Sequence, residues 1–196
     1  MNIAAYIPIG GNSRRFGTDK ATFEFEGITL AERAANTVKQ VIDQASVTFV
    51  AARPNQFPKL TGRTIVDLFP GRGSLGAVHA ALNDSHSEWI FILACDLPFV
   101  TAEFIAFLQS LISGQFDAIV PVQPDGRWQP LCAFYKAENC RGVFESAVGH
   151  EGRHPSLRAI LEGVHTIAVQ LSEYKVLHEA DRLLRNVNSP SDLDNI

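Results

Sequence analysis

The chain has 196 residues, of which 46% are hydrophobic and 19% charged, and its 17 basic and 21 acidic side chains leave a net charge of −4. That much apolar mass excludes a disordered chain, and the acidic balance argues against a protein that coats duplex nucleic acid. A small phosphorylated ligand, which needs only a few local cations, stays open. The length predicts a single domain over residues 1–196 with a full core. Cys95, Cys132 and Cys140 form no CxxC pair and leave an odd count, so neither a disulfide framework nor a zinc site is indicated. Cysteine usage therefore predicts a reducing, cytoplasmic setting. The apolar opening Met1 to Ile9 lacks a basic lead-in, and no stretch approaches the roughly 20 apolar residues of a membrane span.

Short continuous apolar runs alternate with helical patterns. Ile3 to Ile9 is the first run, followed by a helix predicted from Leu30 to Ala45 with apolar positions at Leu30, Ala34, Ala35, Val38, Val41 and Ile42. Val47 to Ala51 and Thr64 to Val66 are the next runs, then a helix over 74–82, a run at Trp89 to Ala94, and a helix over 101–112 with Thr101 as its N-cap. Asp117 to Pro121 is a fifth run. The second half predicts a strand over 128–135, helices over 137–148 and 156–161, a strand over 164–169, and a closing helix capped by Ser189 with Pro190 at its first position. Strands that are apolar on both faces and alternate with helices imply an α/β, three-layer sandwich around a mostly parallel, Rossmann-like sheet. In such sheets ligands bind beyond the carboxyl ends of the strands, so site residues should follow the first four runs.

The loop after the first run reads Pro8-Ile-Gly-Gly-Asn-Ser-Arg-Arg-Phe-Gly-Thr-Asp-Lys20. Adjacent glycines bring backbone N–H groups close to an anion, and Arg14, Arg15 and Lys20 supply cations, which together suit a polyphosphate. The Walker A ending Gly-Lys-Ser/Thr is absent, as is the GxGxxG spacing of dinucleotide folds. Asp67 follows the third run and precedes Gly71-Arg-Gly-Ser-Leu-Gly76; it can accept from a base edge or fix its own loop. Ala94-Cys-Asp-Leu-Pro98 closes the fourth run, where Asp96 is suited to hold Mg²⁺ between protein and phosphates. Cys95 reads as a small core residue.

These motifs resemble the molybdenum cofactor guanylyltransferases, the MobA-like nucleotidyltransferases that join GMP to molybdopterin. Gly10, Gly11, Ser13, Arg15, Gly17, Asp19 and Lys20 match the family's loop, while Pro8-Ile9 replaces Leu-Ala and Phe16 replaces Met. The Cys-Asp-x-Pro motif matches at Cys95 to Pro98. Trp128-Gln-Pro-Leu is similar to the family's Gln-Pro or His-Pro strand, and Asn186-Val-Asn-Ser-Pro-Ser-Asp-Leu193 to its closing motif. The family's Asn after the second strand is absent, since this chain reads Val50-Ala-Ala-Arg53 there.

The resemblance implies GTP and molybdopterin as substrates, Mg²⁺ as cofactor, and proteins that deliver or receive the molybdenum cofactor as further partners. It implies nucleotide contacts from Pro8, Ile9, Gly10, Gly11, Lys20, Asp67 and Asp96, catalytic roles for Arg15, Lys20 and Asp96, and metal ligation by Asp96. Nucleotide binding then falls in residues 1–100 and acceptor binding in 101–196. Asn186 and Asn188 belong to the pterin side, and Arg153 either offers a cation to the acceptor phosphate or is a solvated loop charge. Three other readings stay open: cytidylyl transfer to the same cofactor, transfer to another phosphorylated acceptor, and a nucleotide-binding module without catalysis.

Overall fold

The computed structural model describes residues 1–10, 20–42, 47–57, 59–69, 71–189 and 191–194. Seven strands form one sheet: β1 (Ile3–Pro8), β4 (Thr48–Ala51), β5 (Arg63–Val66), β6 (Trp89–Leu93), β7 (Ala118–Pro121), β8 (Cys132–Lys136) and β9 (Thr166–Val169). Their spatial order is β5-β4-β1-β6-β8-β7-β9, and β8 alone runs antiparallel to its neighbours. A small hairpin of β2 (Glu24–Phe25) and β3 (Ile28–Thr29) stands apart from it. The helices are α1 (Leu30–Lys39), α2 (Ser74–Asp84), α3 (Ala102–Ser110), α4 (Ala137–Val148), α5 (Leu157–Leu161), α6 (Leu171–Tyr174) and α7 (Ser191–Asp194).

Strand alternation divides the core in two. Ala5 and Ile7 of β1 and Trp89, Phe91 and Leu93 of β6 face one layer with Leu30, Val38, Phe104 and Leu108 of α1 and α3. Tyr6, Ile90 and Ile92 face the other, with Val78 and Leu82 of α2 and Phe144 and Val148 of α4. All five residues of β6 are buried, which explains why that segment reads as an unbroken apolar run. The α/β/α sandwich and its mostly parallel sheet follow the expectation from the sequence.

Local differences have identifiable causes. Helix α1 ends at Lys39, short of the expected Ala45, and begins in a capping box: Thr29 accepts from the Glu32 N–H while Glu32 accepts from the Thr29 N–H. Thr101 does cap α3, accepting from the Phe104 N–H at 3.2 Å. The strand expected over 128–135 starts only at Cys132, because Trp128 sits in an isolated bridge with Val122 and Pro130 has no N–H to give. Before the closing helix α7, the Ser189 N–H is held by a side chain three residues on, as at a helix start. Asp192, inside it, accepts from the backbone N–H groups of Asn188 and Ser189 at 2.7 and 2.9 Å, which holds its carboxyl below the usual range. Pro190 lies outside the described residues.

One polar cluster gives the fold a pH signature. The Tyr6 hydroxyl donates to Asp84 at 2.8 Å, and Arg63 donates to the other oxygen of the same carboxylate at 2.6 Å. Burial, then the Asp84 carboxylate, pushes the Tyr6 pKa up. The bond from Arg63 is the main cause that holds Asp84 low. Because the Tyr6 value is raised, its contribution is fully present below about pH 10 and is lost as pH climbs further. Asp84, being depressed, contributes above about pH 4 and loses that contribution as pH falls. Tyr135 and Tyr174 are also raised by burial. The urea midpoint should therefore fall above about pH 10, and Tyr6→Phe should flatten that fall without abolishing it; an unchanged slope would remove Tyr6 from the account.

Candidate functional site

The sheet changes direction between β1 and β6. After β1 the chain builds outward through β4 and β5, then returns to place β6 on the other flank of β1. A crevice opens at the carboxyl ends of strands at such a point. Lys20, arriving from the loop after β1, and Asp96, just beyond β6, meet there: Lys20 Nζ lies 3.0 Å from Asp96 Oδ2. Their side chains are 14% and 24% exposed, so the pair is half-buried yet open to a ligand. Lys20 Nζ also donates to Asn188 Oδ1 at 3.3 Å.

The Asn186-Val-Asn188 segment is pinned residue by residue. Val187 is fully buried, and its N–H donates to the Asp96 carbonyl at 2.9 Å. Asn186 Oδ1 accepts from Gln129 Nε2 at 3.0 Å. Gln129 is 6% exposed and is itself held by its own N–H, which donates to the Pro121 carbonyl. With the oxygen of Asn186 engaged, its amide NH₂ is the group left for other partners. Residues from opposite ends of the chain thus converge on one point.

Asp96 Oδ1 is buried and accepts no hydrogen bond. A carboxylate oxygen in that state is an open ligand position. Among the described residues no three His, Cys, Asp or Glu side chains cluster as a metal site. The donor set fits a hard cation that takes one carboxylate and fills its remaining positions with phosphate oxygens and water. Among the described residues it does not fit a cation held wholly by protein.

A second region lies on the β4–β5 flank. A cavity of about 390 Å³ is lined by Gly10, Ala52, Arg53, Gln56, Asp67 and Gly73, among others. A Cβ on Gly10 would stand 2.7 Å from the Ala52 backbone nitrogen, so only glycine lets the loop leave β1 beside the end of β4. Asp67 is 8% exposed and accepts the Phe69 N–H at 2.8 Å, closing a turn of the kind aspartate favours. Its carboxylate lies against the first turn of α2, where a Cβ on Gly76 would come within 2.7 Å of the carboxyl carbon.

Sequence-expected residues divide clearly. Lys20, Asp96 and Asn188 are brought together, and Asn186 adjoins them in the chain beside Val187, whose N–H donates to the Asp96 carbonyl, while its own side chain accepts from Gln129. Gly10 and Asp67 share the β4–β5 cavity. Pro8 and Ile9 are buried at the end of β1, with Ile9 in the hydrophobic core. Arg153 is exposed, in a turn tied down by Arg72, whose guanidinium donates to the His150 and Gly152 carbonyls. Gly11 and Arg15 lie outside the described residues, as do Ser13, Gly17 and Asp19. Gln56 was not singled out from the sequence, and Gln129 stood only within the Trp128-Gln-Pro-Leu motif, with no role assigned. Gln56 Oε1 accepts the Ala52 N–H at 3.0 Å, placing an amide at the cavity that lacks the family's asparagine. No local signal marked Gln56, which acts through backbone, or the pairing of Gln129 with Asn186, a partner 57 residues away.

A family model described as a MobA-like NTP transferase domain matches residues 5–169. A molybdenum cofactor guanylyltransferase of Desulfosudis oleivorans is 36% identical over 152 residues, covering 77% of this chain and 73% of that protein. A probable molybdenum cofactor guanylyltransferase of a Geobacillus species is 27% identical over 197 residues, covering 99% and 97%. Among solved structures, molybdopterin-guanine dinucleotide biosynthesis protein A from Archaeoglobus fulgidus superposes with a TM-score of 0.81 at 24% identity, covering 98% of this chain and 95% of that one. At that identity the likeness bears on the fold.

Proposed function

The chain belongs to the MobA-like NTP transferase family, among the molybdenum cofactor guanylyltransferases, and from that premise we propose that it transfers GMP from GTP to the terminal phosphate of molybdopterin. The observation that carries the reading is the meeting of Lys20, Asp96 and Asn188 at the β1/β6 crevice. An oxygen of the acceptor phosphate attacks the α-phosphorus of GTP, the bond from that phosphorus to the α,β-bridging oxygen breaks, and pyrophosphate leaves. The attacking phosphate is already ionised near neutral pH, so no side-chain base is needed. What the protein supplies is alignment and neutralisation of charge.

In this reading Lys20 and Arg15 hold the triphosphate, with the Gly10 and Gly11 amides on the remaining oxygens. Asp96 would hold Mg²⁺, which when bound neutralises charge on the phosphates. The β4–β5 cavity takes the base, with the Asp67 carboxylate accepting from the N1–H and amino donors of guanine. Asn186 and Asn188 lie toward the acceptor, as does Arg153. Because Asn188 also touches Lys20, Asn186 is the residue that would separate acceptor binding from nucleotide binding. The three buried cysteine thiols support a cytoplasmic setting, and proteins that deliver molybdopterin or receive the dinucleotide complete the expected partners. No helix among the described residues is long and apolar enough to cross a membrane.

Initial rates with molybdopterin and GTP, CTP or ATP test the nucleotide. A single acceptor carboxylate satisfied by two guanine donors should favour GTP by about ten- to a hundredfold. Preference for CTP would move the protein to cytidylyl transfer. Turnover with a sugar phosphate in place of molybdopterin would point to another acceptor.

A further inference from the structure

A second cavity stands beside the one assigned to the base. It measures about 550 Å³, and Arg72, Gly73, Arg127, Trp128, His154 and Arg158 are among the residues that line it. None of its described lining residues is Asp or Glu, in a chain whose net charge is −4. Three guanidinium groups and an imidazole therefore surround an indole without a carboxylate in the wall. The Arg158 guanidinium carbon stands 5.3 Å from the Trp128 ring centroid.

The three guanidinium groups have no carboxylate partner among the described residues of the pocket wall. Arg72 spends its hydrogen bonds on two carbonyls, which do not neutralise it. Arg127 pairs with Asp125 and Arg158 with Glu162, but both pairs are largely exposed, with side chains 51–73% accessible. Exposed pairs of this kind hold little energy and yield to a better-desolvated anion.

The cavity's position ties it to the site. Gly71 and Gly73 line both this cavity and the base cavity, so the two are neighbours across one loop. Its other edge is Pro130, between Gln129, which binds Asn186, and Leu131, whose carbonyl accepts the Ala94 N–H at 2.8 Å. Ala94 is two residues before Asp96. The cavity thus adjoins the base cavity at Gly71 and Gly73 and ends at Pro130, next in sequence to the residue that bonds Ala94; Asp96 is not among its described lining residues.

We propose that this cavity holds the acceptor's planar heterocycle, with Trp128 as its stacking face and Arg127, His154 and Arg158 facing its anionic substituents. The inference rests on the guanylyl-transfer reading and assigns the pterin end of that reaction to residues beyond Asn186, Asn188 and Arg153. The volume lies within the range of small-molecule sites. Aromatic stacking and guanidinium contacts suit a flat, negatively charged ring system.

Equilibrium dialysis with molybdopterin, alongside GTP binding by calorimetry, tests the proposal on wild type, Trp128→Leu, Trp128→Phe and the double variant Arg127→Ala/Arg158→Ala. Trp128→Leu should weaken molybdopterin binding by about ten- to a hundredfold, as loss of a stacked aromatic does. Trp128→Phe should recover most of that, the arginine double variant should lose about tenfold, and GTP affinity should stay within about twofold throughout. Trp89, the other tryptophan, is 1% exposed in the sheet, so quenching on molybdopterin binding should appear in the emission that Trp128→Phe removes. If Trp128→Leu does not fold, the phenylalanine and arginine variants carry the test. Unchanged molybdopterin binding in a folded leucine variant, or in the arginine double variant, overturns the assignment, as does a parallel loss of GTP affinity. Failure of the underlying reading looks different: wild type itself would then form no dinucleotide product.

Discussion

Lys20→Ala should lower turnover by about 10²–10³-fold and leave the protein folded. The expectation comes from where the ammonium sits. Lys20 opens the 3-10 helix Lys20–Thr22, whose Ala21 is buried and anchors the backbone independently of the lysine head group. The head group points at Asp96 and Asn188, at 3.0 and 3.3 Å, rather than into the core. In the proposed reaction, removing it takes away a point charge from where the leaving pyrophosphate would gather negative charge, and it leaves the Asp96 carboxylate without that partner. Lys20→Arg should recover only part of the rate, because a planar fork does not reproduce a compact ammonium. Pyrophosphate release, with circular dichroism to follow the fold, gives the answer. Near-wild-type release by a folded alanine variant would take Lys20 out of the phosphate site.

Asp96→Asn should cost a comparable factor, about 10²–10³ in rate, and should also make GTP binding indifferent to Mg²⁺. The amide is close to isosteric, so the backbone bond from Val187 to the Asp96 carbonyl survives. Two things change. The buried Oδ1, which accepts no hydrogen bond, belongs to a neutral group instead of a carboxylate. An amide NH₂ turned toward Lys20 would face an ammonium with no acceptor to offer it. GTP affinity measured across a Mg²⁺ titration should rise with the ion in wild type and stay flat in the variant. Equal Mg²⁺ dependence in both would give Asp96 a structural role.

The sequence made the central strands legible because β1, β4 and β6 are apolar on both faces, as strands of a sheet covered on both sides are. It also revealed Lys20 and Asp96, since each follows such a run and the Gly-rich loop and the Cys-Asp-Leu-Pro turn break the pattern abruptly. The nearness of Asn188 to Lys20 was not legible. That contact joins residues 168 positions apart and depends on Val187 filling a buried slot beside Asp96. Gln129 was hidden for the same reason: its partner Asn186 is 57 residues away. The antiparallel course of β8 left no periodic trace either, because its first four residues are buried like those of the parallel strands. Gly76 shows a further limit. A glycine inside a helical pattern looks like a weak helix position until the Asp67 carboxylate is seen to occupy the space a side chain would need.

The division of labour among Lys20, Asp96 and the two cavities depends on attack at the α-phosphorus, and the fate of the phosphates tests that most directly. GTP labelled separately at its α- and γ-phosphorus should be incubated with the protein, Mg²⁺ and molybdopterin. The account predicts that the α-label appears in the pterin dinucleotide and the γ-label in pyrophosphate, in equal amounts. A γ-label found in orthophosphate or on the acceptor would contradict it, because the bond broken would then be a different one.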